Sequence, residues 1–348
     1  MTPTAKRSLQ IGLGFGLSAF FIHLALRGED WAGLRRELAV TKVAWLIPMV
    51  LAGLYSILVR AQRWRILLEY ADGRRPPFDP VFSASAIGFM ANMLLPLRIG
   101  EVVRPYLVSR RTEIPFSTAL ATVILERMLD LFVLFLFASW VAITEEVPDI
   151  VRSLTVVAGV VVLVGAIALT VLYTTRQRLV PVLDRLWAKL PGRLGERIAS
   201  IEHEFLDGIA ALASPWALAR TLLWSLWLWL VIALCFSFGL TASGVSVPFL
   251  PGGVTLVTIV ALAVSIPSAP AFVGQFQWGC KIALVNIYAV DGARALSYSI
   301  VTHLTQAGTQ IGLGLVYLLR EGLSFSDLRR LEARASQRED LPDDHPRG

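Results

Sequence analysis

Glu126, Arg127 and Asp130 stand where charge is expensive, inside the apolar run Ile124-Leu125-Glu126-Arg127-Met128-Leu129-Asp130-Leu131-Phe132. If this run crosses a bilayer, each charge at its centre costs about 2.5 to 3.5 kcal/mol, so partners are required. On a helix Glu126 and Asp130, four apart, share a face, and Arg127, three before Asp130, can pair with it. Two readings are open: the group faces a ligand, or it is an internal ion pair that only fixes helix packing.

Arg98, Glu101 and Arg104 form a second cluster, and their spacing of three puts them on one face of a half-helix starting near Gly100. Two guanidinium groups beside a helix N-terminus suit a phosphate. The free N–H groups and the dipole favour an anion there, and arginine grips phosphate with two donors. An anionic lipid headgroup or a lipid-linked phosphate has that chemistry. Arg110 and Arg111 read as ordinary cytoplasmic flanking charge, a reading also open for Arg104.

This cluster sits on a break in an apolar segment, and the break has a counterpart in the other half of the chain. Pro96-Leu97-Arg98-Ile99-Gly100-Glu101 and Pro270-Ala271-Phe272-Val273-Gly274-Gln275 both read Pro, three residues, Gly, then Glu or Gln. Paired Pro/Gly interruptions of this kind point to a binding site near the membrane midplane. Chance recurrence among 18 Pro and 26 Gly is the alternative. The second break carries Gln275, Gln277 and Trp278, with Lys281 the one basic residue near it, and the next span carries His303, Gln306 and Gln310. His303 is either a hydrogen-bonded packing residue or a pH-linked relay. Gly308 and Gly312 make a Gly-x-x-x-Gly pair, which predicts a close helix contact.

Composition decides what kind of elements hold these residues. With 55% hydrophobic and 17% charged residues and a mean hydropathy of +0.63, the chain has too little polar surface to coat a soluble globule of 348 residues. A net charge of +6 and a pI near 9.6 would otherwise raise nucleic acid as a partner. Here the basic residues flank apolar runs, as membrane orientation requires, and no nucleic-acid partner is expected. Cys235 and Cys280 have neither metal-like nor disulfide spacing, and Gly12, Gly14 and Gly16 follow no strand that would make them a nucleotide fingerprint. No catalytic, metal or cofactor motif is present.

The pattern predicts an all-α polytopic membrane protein with about six full spans plus two re-entrant helical hairpins arranged as inverted repeats. Spans are expected near 9–26, 43–62, 117–143, 151–174, 215–241 and 294–320, each long enough at 1.5 Å per residue to cross about 30 Å of hydrocarbon. The first reads as a retained signal anchor rather than a cleaved peptide, and the stretch 30–38 as a short interfacial helix on the outer surface. The broken regions, about 80–110 and 252–290, offer only about sixteen apolar residues before Pro96 and Pro267. Each is expected to enter, turn and leave by the same side, which is tolerated only when buried in protein or lining a wet cavity.

Loop charge orients the chain. Arg60, Arg63, Arg65, Arg74, Arg75, Arg104, Arg110, Arg111 and the six basic residues from Arg176 to Arg197 fall on one side, against Arg27, Arg35, Arg36, Lys42, Arg152 and Arg294 on the other. Both termini are then cytoplasmic. Residues 1–323 read as one transmembrane domain with a cytoplasmic amphipathic insert at 176–214, split at Pro191-Gly192, and 324–348 as a partly disordered tail.

The stretch from Asn92 through Pro96, Arg98, Gly100, Glu101 and Arg104, then Ser109-Arg110-Arg111-Thr112 and Pro115-Phe116, to Glu126-Arg127-Met128-Leu129-Asp130 resembles the signature of the lysylphosphatidylglycerol synthase transmembrane region. The hydrophobic layout is similar over roughly residues 5–325. The resemblance implies a flippase-like, multi-pass protein of a prokaryotic inner membrane with a headgroup cavity, and in some members translocation of an aminoacylated phospholipid. It carries over to Asn92, Pro96, Arg98, Gly100, Glu101, Arg104, Glu126, Arg127 and Asp130. In the second half the chain departs from the family pattern, with Ser268-Ala269-Pro270 at the turn, Gln275 and Gln277 after it, and His303 where similar proteins often have Arg. At this length no room is expected for a soluble aminoacyl-transferase domain.

Together these observations predict a lipid translocase, not an enzyme, that moves an anionic or lipid-linked headgroup between leaflets. Its substrate-binding residues are Asn92, Arg98, Glu101, Arg104, Glu126, Arg127, Asp130, Gln275 and His303, set around structural breaks at Pro96, Gly100, Pro270 and Gly274. The partner is a membrane lipid or lipid-linked phosphate, homo-oligomerisation is left open, and neither cofactor nor metal is expected. The alternatives are a membrane-embedded lipid transferase using Glu126 or Asp130 as base, and a non-transporting scaffold for envelope lipid synthesis.

Overall fold

The computed structural model describes residues 16–327 apart from 17, 29, 70–72, 96–97, 191–193, 211–213, 266–269 and 326, and the described residues contain helices and no strands. Pro96, the start of the first break, lies outside the described residues, as do Gly12, Gly14, Pro191-Gly192 and the tail beyond 327. In order come α1 (residues 18–26), α2 (Trp31–Ala39), α3 (Leu46–Leu67), α4 (Phe78–Leu94), α5 (Gly100–Arg111) and α6 (Phe116–Thr144). Then follow α7 (Asp149–Trp187), α8 (Leu194–Ala210), α9 (Pro215–Ala242), α10 (Phe249–Val264), α11 (Gln275–Lys281) and α12 (Gly292–Arg320). A 3-10 turn, Pro270–Phe272, precedes α11, and a π turn, Ile282–Ile287, follows it. Proline sets the start of five helices: Pro77, Pro115, Pro148 and Pro248 precede α4, α6, α7 and α10, and Pro215 is the first residue of α9. At Pro215 the missing N–H costs nothing and the fixed φ suits the first turn, and the other four sit at the N-cap with the extended backbone that position takes.

The five spans expected after residue 40 coincide with α3, α6, α7, α9 and α12. Among the described residues, Val43–Leu67, Asp149–Leu172 and Trp216–Ala242 are long and apolar enough to cross a membrane. The stretch around 30–38 forms α2, capped by the Asp30 carboxylate on the Ala32 and Gly33 N–H groups at 2.9 Å.

The helix expected over 151–174 does not end there, since α7 continues through Pro181 to Trp187. The polar residues that signalled an end are helix-compatible: the Thr170, Thr174 and Thr175 hydroxyls each donate to a carbonyl four residues back. With 39 residues α7 is about 58 Å long, against about 30 Å of hydrocarbon. Nor do Gly308 and Gly312 make a close helix contact, since both face open space. The close approach on α12 is at Gly314, where a Cβ would lie 2.2 Å from Met90 Cβ of α4.

Both interrupted regions fold back on themselves. In the first, Gly88 of α4 lies against Arg104 of α5, and Asn92 against Gly100, one turn nearer the break on each side. In the second, Thr255 of α10 meets Tyr288 and Val260 meets Gly279, again an antiparallel pair. Their open ends lie at opposite ends of α12. Arg111, at the end of α5, pairs with Asp79 at the start of α4 and with Glu321 just beyond α12. Tyr288, just before α12, joins Thr255 and Glu145 at the other end. With 17, 12 and 16 residues, α4, α5 and α10 reach about 25, 18 and 24 Å, short of a full span.

Candidate functional site

Arg63 organises the charged interior. It sits in the last turns of α3, fully buried, and its Nη1 donates to Asp130 Oδ1 at 2.5 Å and to Ser225 Oγ of α9 at 2.9 Å. Its Nη2 donates to Glu126 Oε1 at 3.1 Å and to Asp130 Oδ2 at 3.3 Å. The other Glu126 oxygen accepts from Arg104 Nη2 at 2.8 Å, and Trp229 Nε1 donates to Asp130 Oδ1 at 3.1 Å. Glu126 and Asp130 thus do share a face, and the shared face points at Arg63. Arg127 Nη2 lies 3.2 Å from Asp130 Oδ2, as the spacing predicted, and its Nε lies 3.8 Å from Glu101 Oε2.

This corrects the charge count. Arg63 and Arg104 are fully buried and Arg60 lines a cavity, so none of the three is a loop charge. Arg104 lies 4.2 Å above the Trp64 ring and 5.1 Å from that of Phe89. Trp64 is held in turn by its Nε1–H on Thr122 Oγ1 at 2.9 Å. Arg98 does not share a helix face with Glu101 and Arg104 either. It precedes α5 in the turn, with φ of 53°, and reaches the second hairpin: its Nη2 donates to the Val264 carbonyl at 2.5 Å and its guanidinium lies 5.1 Å from the centre of the Phe272 ring.

The tips of the two hairpins therefore meet, and beside them opens a cavity of about 500 Å³. Asn92, Arg98, Glu101, Arg127 and Asp130 line it, while Arg104 and Glu126 lie one layer behind and Gln275 is fully buried at the head of α11. A smaller chamber of about 150 Å³ shares Arg60, Trp229, Phe272, Gln306 and Gln310 with the first and adds His303. Arg127 Nε and Nη2, Glu101 Oε2 and Asn92 Oδ1 are buried without a hydrogen bond. Five arginines (Arg60, Arg63, Arg98, Arg104, Arg127) face three carboxylates (Glu101, Glu126, Asp130), a surplus of two positive charges. Among the described residues no carboxylate lies within ion-pair distance of Arg60 or Arg98, so the surplus faces the cavity.

His303 holds the second turn in shape. The Ala271 carbonyl can only accept, so Nε2–H donates to it at 2.8 Å, and Nδ1 accepts from Gln277 Nε2 at 2.9 Å. Gln277 Oε1 in turn accepts from Gly274 N–H at 2.8 Å. The imidazole also stacks on Phe276, centroids 4.4 Å apart. The turn needs such a pin because Ala271 and Phe272 both have φ of 57°. Pro270 opens this turn and Gly274, with φ of 90°, ends it. Gly100 serves differently, as the first residue of α5, where a Cβ would lie 1.9 Å from the Gly88 carbonyl oxygen.

Residues 11–335 match the lysylphosphatidylglycerol synthase TM region. The chain belongs to this family. The match takes in every helix from α1 to α12, both hairpins and the cavity. Among curated proteins, the chain is similar to one named Glycosyltransferase AglD from Haloferax volcanii, 26% identical over 309 residues, which cover 81% of this chain and 49% of that protein. The chain spans about half the length of that relative.

Sequence reasoning missed Arg60, Arg63, Trp229 and Ser225. Arg60 carried a usable signal, standing inside the span expected over 43–62, whereas Arg63, just beyond it, read as a flanking charge. Trp229 and Ser225 carried none, since both are ordinary residues of an apolar span.

Proposed function

We propose that the chain is an integral membrane lipid translocase of a prokaryotic inner membrane, moving an anionic or lipid-linked headgroup between leaflets. The observation that carries this is the surplus of arginine at a half-open cavity beside the two hairpin tips, with donors of Arg127 left without hydrogen bonds. Arg127 lies in ion-pair range of Asp130 and Glu101 without making a hydrogen bond to either, and guanidinium donors so placed favour an anion with several acceptor oxygens. Arg60, Arg98 and Arg127 contact the phosphate, and Asn92 and Glu101 receive its substituents. Arg63, Arg104, Glu126 and Asp130 hold this wall in place. The α4–α5 and α10–α11 pairs act as re-entrant hairpins and inverted repeats, opening to opposite faces of the membrane, so that rocking one against the other alternates access. Without Arg60, Arg63 and Arg104 the charge count stands at eleven against six, which still favours cytoplasmic termini.

The test is purified protein in vesicles carrying tail-labelled phosphatidylglycerol. The label redistributes between leaflets with no change in lipid mass, and Arg127→Gln slows this by about 10- to 100-fold, the worth of one hydrogen bond to a charged group. Redistribution no faster than in protein-free vesicles overturns the proposal. The relative's name favours a second reading, transfer of a sugar with a cavity carboxylate such as Glu101 as base. In vesicles that also carry a polyprenyl-phosphate sugar as donor, a new glycosylated lipid mass, formed with release of the polyprenyl phosphate, would decide for it.

A further inference from the structure

We infer that α1 and α11 move as one body, sliding along α10 with the π turn at Ile282–Ile287 as the hinge, so that α1 carries the second hairpin tip toward and away from Arg98. This rests on the reading that the two hairpins rock against each other, and deepens it by naming what moves and where it bends.

Helix α11 is seven residues of regular helix set between two departures from it. Before it stand Ala271 and Phe272 with φ of 57° and Gly274 with φ of 90°. After it the backbone widens into the π turn, where the Tyr288 N–H donates to the Ala283 carbonyl, five residues back, at 3.3 Å. Ala289 closes the run with φ of 51°, and the Val290 N–H reaches the Leu284 carbonyl at 2.8 Å. A π turn holds about one residue more than an α turn, so its conversion takes up or releases about 1.5 Å of helix without unravelling it. Phe272, just before α11, is the ring on which Arg98 rests at 5.1 Å, so travel of α11 bears directly on the contact between the tips.

The two sides of α11 decide which neighbour travels with it. Helix α1 grips it along its whole length. Lys281 Nζ donates to the carbonyls of Ala25 and Arg27 at 3.2 Å, where a cation also meets the negative end of the α1 dipole. The Phe21 and Trp278 rings lie 5.0 Å apart, and a Cβ on Gly274 would lie 2.7 Å from the Ser18 carbonyl oxygen and 2.8 Å from the Ile22 nitrogen. The side toward α10 is flat and apolar instead: Gly279 lies on Val260 and Ala263, where a Cβ would be 3.0 Å from Val260 Cα and 3.2 Å from Ala263 Cβ. A cation on carbonyls resists shear, whereas a glycine on aliphatic carbon lets the helix slip.

Two tethers test this in the full chain with Cys235 and Cys280 replaced by alanine. Phe21→Cys with Trp278→Cys, joined by a short bismaleimide, ties α1 to α11 inside the moving body. Ala263→Cys with Gly279→Cys, oxidised to a disulfide, ties α11 to α10 across the sliding face. Each linked protein is compared with its own unlinked form. In vesicles carrying tail-labelled phosphatidylglycerol the first tether is expected to leave redistribution unchanged, while the second slows it about tenfold until dithiothreitol restores it. In detergent, amide exchange at residues 282–288 is likewise unchanged by the first and slowed about tenfold by the second. Lys281→Met needs neither tether and raises exchange in residues 18–26 and 275–281 together. Slowing by the first tether, indifference to the second, or a rise on only one side in Lys281→Met overturns the inference. Exchange that follows these expectations in a protein that moves no lipid upholds it and removes translocation alone.

Discussion

The two hairpins share a plan and differ in what holds them. The α4–α5 hairpin is fastened by ions, with Arg104 bridging Glu126 of α6 and lying over Trp64 of α3. The α10–α11 hairpin is fastened by apolar and neutral polar contacts, with Phe276 between Phe236 and His303 and the His303–Gln277–Gly274 chain across its turn. Buried ions are stable only when every partner is present. The first hairpin is accordingly the fixed, charged wall. The second holds two non-glycine residues at positive φ through neutral hydrogen bonds, so fewer charged contacts oppose its rearrangement. Arg98 joins the two tips through one carbonyl and one ring.

If that contrast is correct, the largest loss comes from opening the ionic network. Glu126→Gln leaves Arg63 and Arg104 sharing one carboxylate fewer in a dry interior, and is expected to destabilise the fold by about 3 to 5 kcal/mol. Thermal unfolding in detergent measures this. A melting temperature within a degree or two of the parent would mean that water reaches the network and that the two hairpins are fastened alike.

How much of this was legible follows the same divide. Charge inside apolar runs is a loud signal, so Glu126, Arg127 and Asp130 and the break at Gly100 could be read directly, and the spans followed from hydropathy. The Arg63 partnership could not, because a basic residue near the end of a span looks like a flanking charge until α6 is folded against α3. The role of His303 was equally hidden. It depends on the carbonyl of Ala271, and no residue type announces a backbone partner.

Glycine substitutions probe the two breaks next. Gly274→Ala must adopt φ of 90° and would place a Cβ 2.7 Å from the Ser18 carbonyl of α1, an expected cost of about 2 to 4 kcal/mol. Gly100→Ala has no dihedral penalty but drives a Cβ into the Gly88 carbonyl, so about 1 to 3 kcal/mol is expected. Unfolding midpoints rank them. Gly100→Ala being the worse of the two would mean that the first hairpin, not the second, stores the strain.

His303→Phe keeps the stack on Phe276 and removes both hydrogen bonds, so about 1 to 2 kcal/mol is lost. The more telling readout is local. Amide exchange should rise at residues 270–278 and stay unchanged along α5. Exchange that rises in both places would show that the tips move as one unit and that the second hairpin has no freedom of its own.

The smallest effect has the opposite sign. Helix α12 leans on both hairpins, through His303 against the second and Gly314 against α4 of the first, while Gly308 and Gly312 between them touch nothing. A Cβ at Gly308 or Gly312 therefore meets no neighbour and removes the entropic penalty of glycine in a helix, for an expected gain of up to about 1 kcal/mol each. At Gly314 the same change puts a Cβ into the Met90 side chain and within 2.8 Å of the Ala86 carbonyl oxygen. Unfolding of the three alanine variants in detergent separates the cases: stabilisation at 308 and 312 with destabilisation at 314 places the close backbone approach of α12 to the first hairpin at Gly314 and not along the face of the other two glycines. Destabilisation at 308 or 312 would mean that this face is covered by another copy of the chain, and α12 would then join protomers as well as hairpins.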